Sequence, residues 1–131
     1  MIVLDASVVL DWLLQTHAGQ RVEQRISSGN EVLCAPHLVD VEVAQVLRRL
    51  VREGTISNRR AGEAITDLQD LPLERYPHFV LLPRVWWHRN NLSAYDAAYV
   101  ALAEITGSTL LTRDARLAAA PGQSANIELL R

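Results

Sequence analysis

The property of this chain that most restricts its fold is an alternation. Short, largely apolar segments recur along it, and each is separated from the next by a longer stretch with helical periodicity. Ile2–Leu4, Val32–Ala35 and Thr109–Thr112 read as strands. Apolar residues at consecutive rather than alternate positions are what a strand buried on both faces requires. Leu71–Tyr76, beside prolines, and Ile127–Leu130 read as weaker strands, the latter at an edge. Between them, Val8, Val9, Trp12 and Leu13, and later Val39, Val43, Val46, Leu47, Leu50 and Val51, each mark one face of a helix. No hairpin turn joins two strands. Such an order specifies an α/β domain whose parallel sheet is covered by helices on both faces.

The helix ends carry their own punctuation. Gly29-Asn30 stops the helix that starts near Ala18, Gly54 stops the one bearing Arg48, Arg49, Arg52 and Glu53 in its last turns, and Ser57 caps the next. A further helix is expected from about His78 to Asn90, with Pro83 in its first turn or at a kink. Ser93 opens and Gly107 closes another, and Asp114–Ala120 forms a short last one. At 131 residues and 49% hydrophobic content the chain can bury a core without staples, and one domain spanning residues 1–131 is expected.

Several function classes fall away. The longest apolar run, Ala97–Ala103, is far shorter than the roughly 20 residues of a membrane-spanning helix. Asp5 and Asp11 in place of a basic leader predict a cytoplasmic protein. Cys34 is the single cysteine, and no CxxC or His-x3-His pair offers a zinc site. All 13 basic residues are arginine, so phosphate-loop, Schiff-base and kinase lysines are excluded together. The net charge of -2 argues against a protein that coats nucleic acid nonspecifically, yet arginine favours bidentate phosphate contacts and leaves RNA or DNA open.

In an open parallel sheet, functional groups collect beyond the carboxyl ends of the strands. Four acids fall there. Asp5 closes the first strand, Asp114 follows the Thr109–Thr112 strand, Asp96 lies in the first turn of its helix, and Glu42 lies early in the helix after the second strand. Carboxylates brought together without basic partners repel, and a hard divalent cation with oxygen ligands resolves the repulsion. Each acid also has a local reading: Asp5 and Asp114 as helix caps, Asp96 in a capping box with Ser93, Glu42 at a solvated helix border. Four unrelated acids converging by accident is the weaker account. His17, His37, His78 and His88 are scattered without ligand spacing, and Cys34 reads as a buried small hydrophobe. Of the adjacent Trp86 and Trp87, one is expected to pack into the core and the other to turn outward. The arginines at 48, 49 and 52 first complement a helix dipole and only second offer phosphate contacts.

These residues resemble a known family. Asp5-Ala6-Ser7 after the first strand, Glu42, the stretch Leu92-Ser93-Ala94-Tyr95-Asp96-Ala97-Ala98-Tyr99, and Leu110-Leu111-Thr112-Arg113-Asp114 together look like the PIN-domain ribonucleases, specifically VapC toxins of type II toxin-antitoxin modules. The resemblance covers nearly the whole chain. It implies a three-layer α/β/α fold with a mainly parallel central sheet, RNA cleavage dependent on Mg2+ with Mn2+ able to substitute, a homodimer, and neutralisation by a VapB-like antitoxin. Asp5, Glu42, Asp96 and Asp114 match the family's metal-binding catalytic acids, and Ser7 and Thr112 match hydroxyls supporting them. Where some relatives carry a further acid, this chain has Leu117. A receiver-type phospho-acceptor shares the alternation and the strand-end acids, but it needs a lysine that the chain lacks. A catalytically inert interaction module of the same fold is the remaining alternative, disfavoured by retention of all four acids.

Overall fold

The computed structural model describes residues 1–131. Five strands form one sheet: β1 (Ile2–Leu4), β2 (Leu33–Pro36), β3 (Leu73–Tyr76), β4 (Thr109–Thr112) and β5 (Asn126–Leu129). Their order is β3-β2-β1-β4-β5, and all four pairings are parallel. The expected mainly parallel sheet is thus wholly parallel. Every residue of β1 and β2 is buried, as two-sided apolar runs demand, whereas the four-residue edge strands β3 and β5 are partly exposed and carry Glu74, Arg75 and Glu128.

Seven helices connect and cover the strands: α1 (Ala6–Leu14), α2 (His17–Ser27), α3 (Leu38–Arg52), α4 (Asn58–Asp70), α5 (Leu82–Trp87), α6 (Ala94–Thr106) and α7 (Ala115–Ala118). The three-layer α/β/α arrangement follows from their packing on both faces of the sheet. Helix α6 is the most deeply set, buried continuously from Ala97 to Ala103. Its small side chains allow close approach to the sheet, and Ser93 Oγ accepts the Asp96 amide at its start. Helix α2 folds back onto α1 through Gly19, where a Cβ would stand 2.1 Å from the Asp11 carbonyl oxygen. No larger residue permits that approach without movement of the backbone.

The segment expected to be helical from His78 to Asn90 is divided. A single 3-10 turn over Phe79–Leu81 leads into the short α5, with Pro83 in its first turn. Neither tryptophan there packs inward: Trp86 is 69% and Trp87 54% exposed. The reason is that α5 buries none of its residues and is anchored instead by its flanks, Leu81 and His88. Arginine guanidinium groups cover the two indoles, Arg84 at 4.1 Å from the Trp87 ring and Arg89 at 5.0 Å from that of Trp86. His88 is buried, with Nε2 2.7 Å from Glu104 Oε1. Cys34 is buried as a small hydrophobe.

Candidate functional site

The strand order places a crevice. From β1 the chain moves outward through β2 and β3 on one side, then returns to β4 and β5 on the other, so the topology switches between β1 and β4. Ligands of open α/β sheets bind beyond the carboxyl ends of the strands at such a point. Asp5 and Asp114 follow those two strands.

Asp5 is 6% exposed. Its Oδ1 accepts from Ser7 Oγ at 2.6 Å and from the Val8 amide at 3.0 Å, and its Oδ2 accepts from Thr112 Oγ1. The residue is therefore a helix cap and a strand-bridging acid at once. Burial pushes its pKa above the usual carboxylate value, the hydrogen bonds from Ser7, Thr112 and Val8 oppose that, and the charge of Asp114 adds to it. Thr112 Oγ1 accepts the Asp114 amide at 3.0 Å, and Ser7 Oγ accepts the Arg113 amide at 3.2 Å. The two hydroxyls thus tie the turn after β1 to the turn after β4.

Asp114 caps α7 through Oδ1, which accepts from the amides of Arg116 and Leu117 at 2.9 and 3.3 Å. Its Oδ2 lies 3.3 Å from Arg116 Nη2, and the same nitrogen lies 3.3 Å from Asp96 Oδ2. One guanidinium spans two carboxylates delivered by different helices. Glu42, from α3, accepts a 2.5 Å hydrogen bond from the Tyr99 hydroxyl through Oε1. Burial raises the Glu42 pKa, Tyr99 opposes, and the charges of Asp96 and Asp5 raise it further. Tyr99 itself is buried, and its hydroxyl is pushed well above its ordinary pKa by burial and by Glu42, so it stays a donor.

The acids sense one another pairwise: Asp114 acts on Asp5, Asp96 and Asp5 act on Glu42, and Arg116 joins Asp96 to Asp114. As they lie, no three of them close round an ion. The donor set is nonetheless that of a hard cation: oxygen only, with buried Asp5 fixed by three hydrogen bonds and the half-buried Asp96 and Asp114 already sharing one positive charge, that of Arg116. Leu117, at the position where some relatives carry an acid, is buried in the hydrophobic core.

Two residues escaped the sequence reading. Tyr99 stands three residues after Asp96, one helical turn along α6, inside an apolar run, and the motif that contains it assigned it no role. Arg116 lies two residues after Asp114, and nothing in the sequence shows that its exposed side chain reaches back to α6.

Acids set beyond strand ends at the switch point of an all-parallel sheet define an open α/β fold with a carboxylate-bearing site, and comparison with known proteins narrows it. The profile of the PIN domain matches residues 2–123. The chain belongs to the PIN-domain family. It is 42% identical over 130 residues to "Ribonuclease VapC1" of Mycobacterium tuberculosis, covering 98% of this chain and 97% of that one. It is 45% identical over 117 residues to "Ribonuclease VapC9" of the same organism, covering 89% and 88%. The fold is similar to the crystal structure of PAE2754 from Pyrobaculum aerophilum, with a TM-score of 0.69 at 21% identity over 96% of this chain and 81% of that one. It is also similar to a chain of a toxin-antitoxin complex from Klebsiella pneumoniae, with a TM-score of 0.64 at 16% identity over 91% of each. No helix is long and apolar enough to cross a membrane.

Proposed function

We propose that this protein is a divalent-metal-dependent ribonuclease, the toxin of a VapBC-type pair, with Asp5, Glu42, Asp96 and Asp114 as its catalytic and metal-holding acids. The observation that carries the reading is the pairwise electrostatic and hydrogen-bond linkage of these four carboxylates, with Asp5 and Asp114 just beyond β1 and β4, in a chain whose 42% and 45% identical relatives are named ribonucleases. Asp5, Asp96 and Asp114 would hold Mg2+ or Mn2+, which when bound supplies an acidified water and neutralises charge on the attacked phosphate. Ser7 and Thr112 hold the Asp5 carboxylate in one orientation. Glu42, fixed by Tyr99 and raised in pKa, is the carboxylate suited to take a proton from water. No lysine and no covalent nucleophile is needed.

The partners belong to the same proposal: a VapB-like antitoxin, a second copy of the chain, and RNA in the cytoplasm. Supporting a protein interface, Phe79 is 81% and Trp86 69% exposed on one short segment, a large aromatic area for a chain with seven aromatic residues. Incubating the purified protein with total cellular RNA tests the activity. Cleavage is expected with Mg2+ or Mn2+ and none with EDTA, and RNA left intact under both divalent ions would reject the reading.

A further inference from the structure

Beside the acids lies a cavity of about 350 Å³ that no catalytic role accounts for. It opens against Asp96 and Arg116, and its walls come from the loop before α6 and the stretch that follows α7. A larger cavity of about 780 Å³ lies elsewhere, at the amino-terminal ends of β2 and β3 around Leu33 and Leu73, away from the carboxyl-end crevice.

The smaller cavity has the composition of a site for a flat heterocycle. Leu92, Leu117, Ala120 and Pro121 supply apolar walls. Its polar lining residues are Asn91 and, beside the acids, Arg116 and Asp96. Its volume sits at the low end of the roughly 300–1,000 Å³ typical of small-molecule pockets, which suits one nucleotide unit and no duplex. A carboxamide offers two donors and an acceptor, the complement of a base edge, and Arg116, 79% exposed at its side chain, offers the planar fork that suits a phosphate.

The placement of Asn91 is itself constrained. Its backbone amide donates to the His88 carbonyl at 3.0 Å, which closes the turn after α5. Its side chain lies against Gly122, which holds a left-handed φ of +81°, and a Cβ there would stand 2.8 Å from Asn91 Nδ2. Gly122 therefore makes the turn that brings the far wall round and leaves the carboxamide its room. Beyond the cavity, Glu104 Oε2 accepts both the Ser124 amide and the Ser124 hydroxyl at 2.8 Å, which pins the loop that follows Gly122 to α6.

We propose that this cavity receives an unstacked nucleobase next to the scissile phosphate, its faces against the apolar walls, its edge read by Asn91, and its phosphate met by Arg116. The inference rests on the ribonuclease reading and deepens it by assigning base selection to named residues. RNA is commonly recognised through single-stranded bases that are splayed out and bonded along their edges, which is the geometry the cavity offers.

Mapping the 5′ ends of fragments from a mixed-sequence RNA, cut in Mg2+ by the wild type, Asn91→Ala and Ala119→Trp, tests it. Ala119 is an exposed residue of the cavity wall, so the larger side chain can be carried without disturbing the core. Wild-type cuts should share a preferred base beside the cleaved bond. Asn91→Ala should cut the same RNA with that preference reduced roughly tenfold, and Ala119→Trp should raise KM and flatten the preference. Wild-type cleavage with a base preference that both variants retain would overturn the proposal and leave the ribonuclease reading standing. Variants that lose affinity for an antitoxin while their RNA pattern is unchanged would overturn it equally. If the wild type fails to cut any RNA with Mg2+ or Mn2+, the ribonuclease reading falls and the proposal with it.

Discussion

Replacing Glu104 by glutamine should cost this protein about 2–3 kcal/mol at neutral pH. The Glu104 side chain is 4% exposed, and burial alone would push its pKa up. Arg84 at 2.9 Å, His88 at 2.7 Å and both polar atoms of Ser124 overcome that and hold the carboxyl at about 2 instead of 4.5. Each unit is about 1.4 kcal/mol, so the ionised form gains roughly 3 kcal/mol on folding, of which the neutral amide recovers a part through its remaining hydrogen bonds. With an unfolding entropy of about 2.1 cal/mol/K per residue, the Tm should fall by roughly 7–11 °C. The pH dependence has a definite sign. A depressed folded-state pKa gives stability that is complete above about 4.5 and lost as pH falls toward about 2. Thermal melts of both proteins by circular dichroism at pH 7 and pH 3 should therefore show the gap narrowing to about half or less at the lower pH. A Tm loss under about 2 °C at pH 7, or a gap as wide at pH 3 as at pH 7, would refute the reasoning.

Asp5→Asn, Glu42→Gln, Asp96→Asn and Asp114→Asn should each abolish RNA cleavage without unfolding the chain, while the exposed Asp70→Asn leaves it near the wild-type rate. Asp11 is a poorer control, since its carboxylate bonds Thr16 and lies 3.5 Å from Arg113. Because burial raises the folded pKa of Asp5 and Glu42, the metal-free protein binds more protons folded than unfolded; its stability should decline as pH rises from the ordinary carboxylate value toward neutrality. Mg2+ should restore the Tm at pH 7, and a Tm indifferent to both pH and divalent ions would count against a shared site. Arg116→Ala should tighten Mn2+ binding by about three- to tenfold in calorimetric titration, the release of two exposed ion pairs worth up to about 1 kcal/mol each, and unchanged affinity would show that the guanidinium does not compete.

Elements whose signal is local were legible before the structure. β4 falls on the residues read for it, and Ser57, Ser93 and Asp114 supply their side chains as caps where the sequence placed them. The placement of Asp5 and Asp114 was legible because a residue just past a strand end is fixed to one edge of a parallel sheet. Orientation was not. Trp86 and Trp87 face outward because α5 spans six residues and buries none, a consequence of how its flanks dock. The reach of Arg116 to Asp96 depends on α6 and α7 meeting beyond the sheet, a tertiary fact with no counterpart in spacing. Tyr99 hid inside an apolar run because a buried phenol looks like core until its hydroxyl finds a partner.

The charges on β3 and β5 decide how this molecule can meet copies of itself. A parallel sheet with open ends presents unpaired amide and carbonyl groups on both outer strands, a template for uncontrolled strand addition. Here each outer strand is four residues long, and its charged side chains are tied back, Arg75 to Asp40 at 2.9 Å and Glu128 to Arg25 at 2.9 Å. An incoming strand would have to strip these ion pairs for a short ladder of hydrogen bonds. Lateral growth of the sheet is thereby discouraged, which leaves the helical surfaces for any contact between copies, where side-chain contacts can close into a finite assembly rather than propagate.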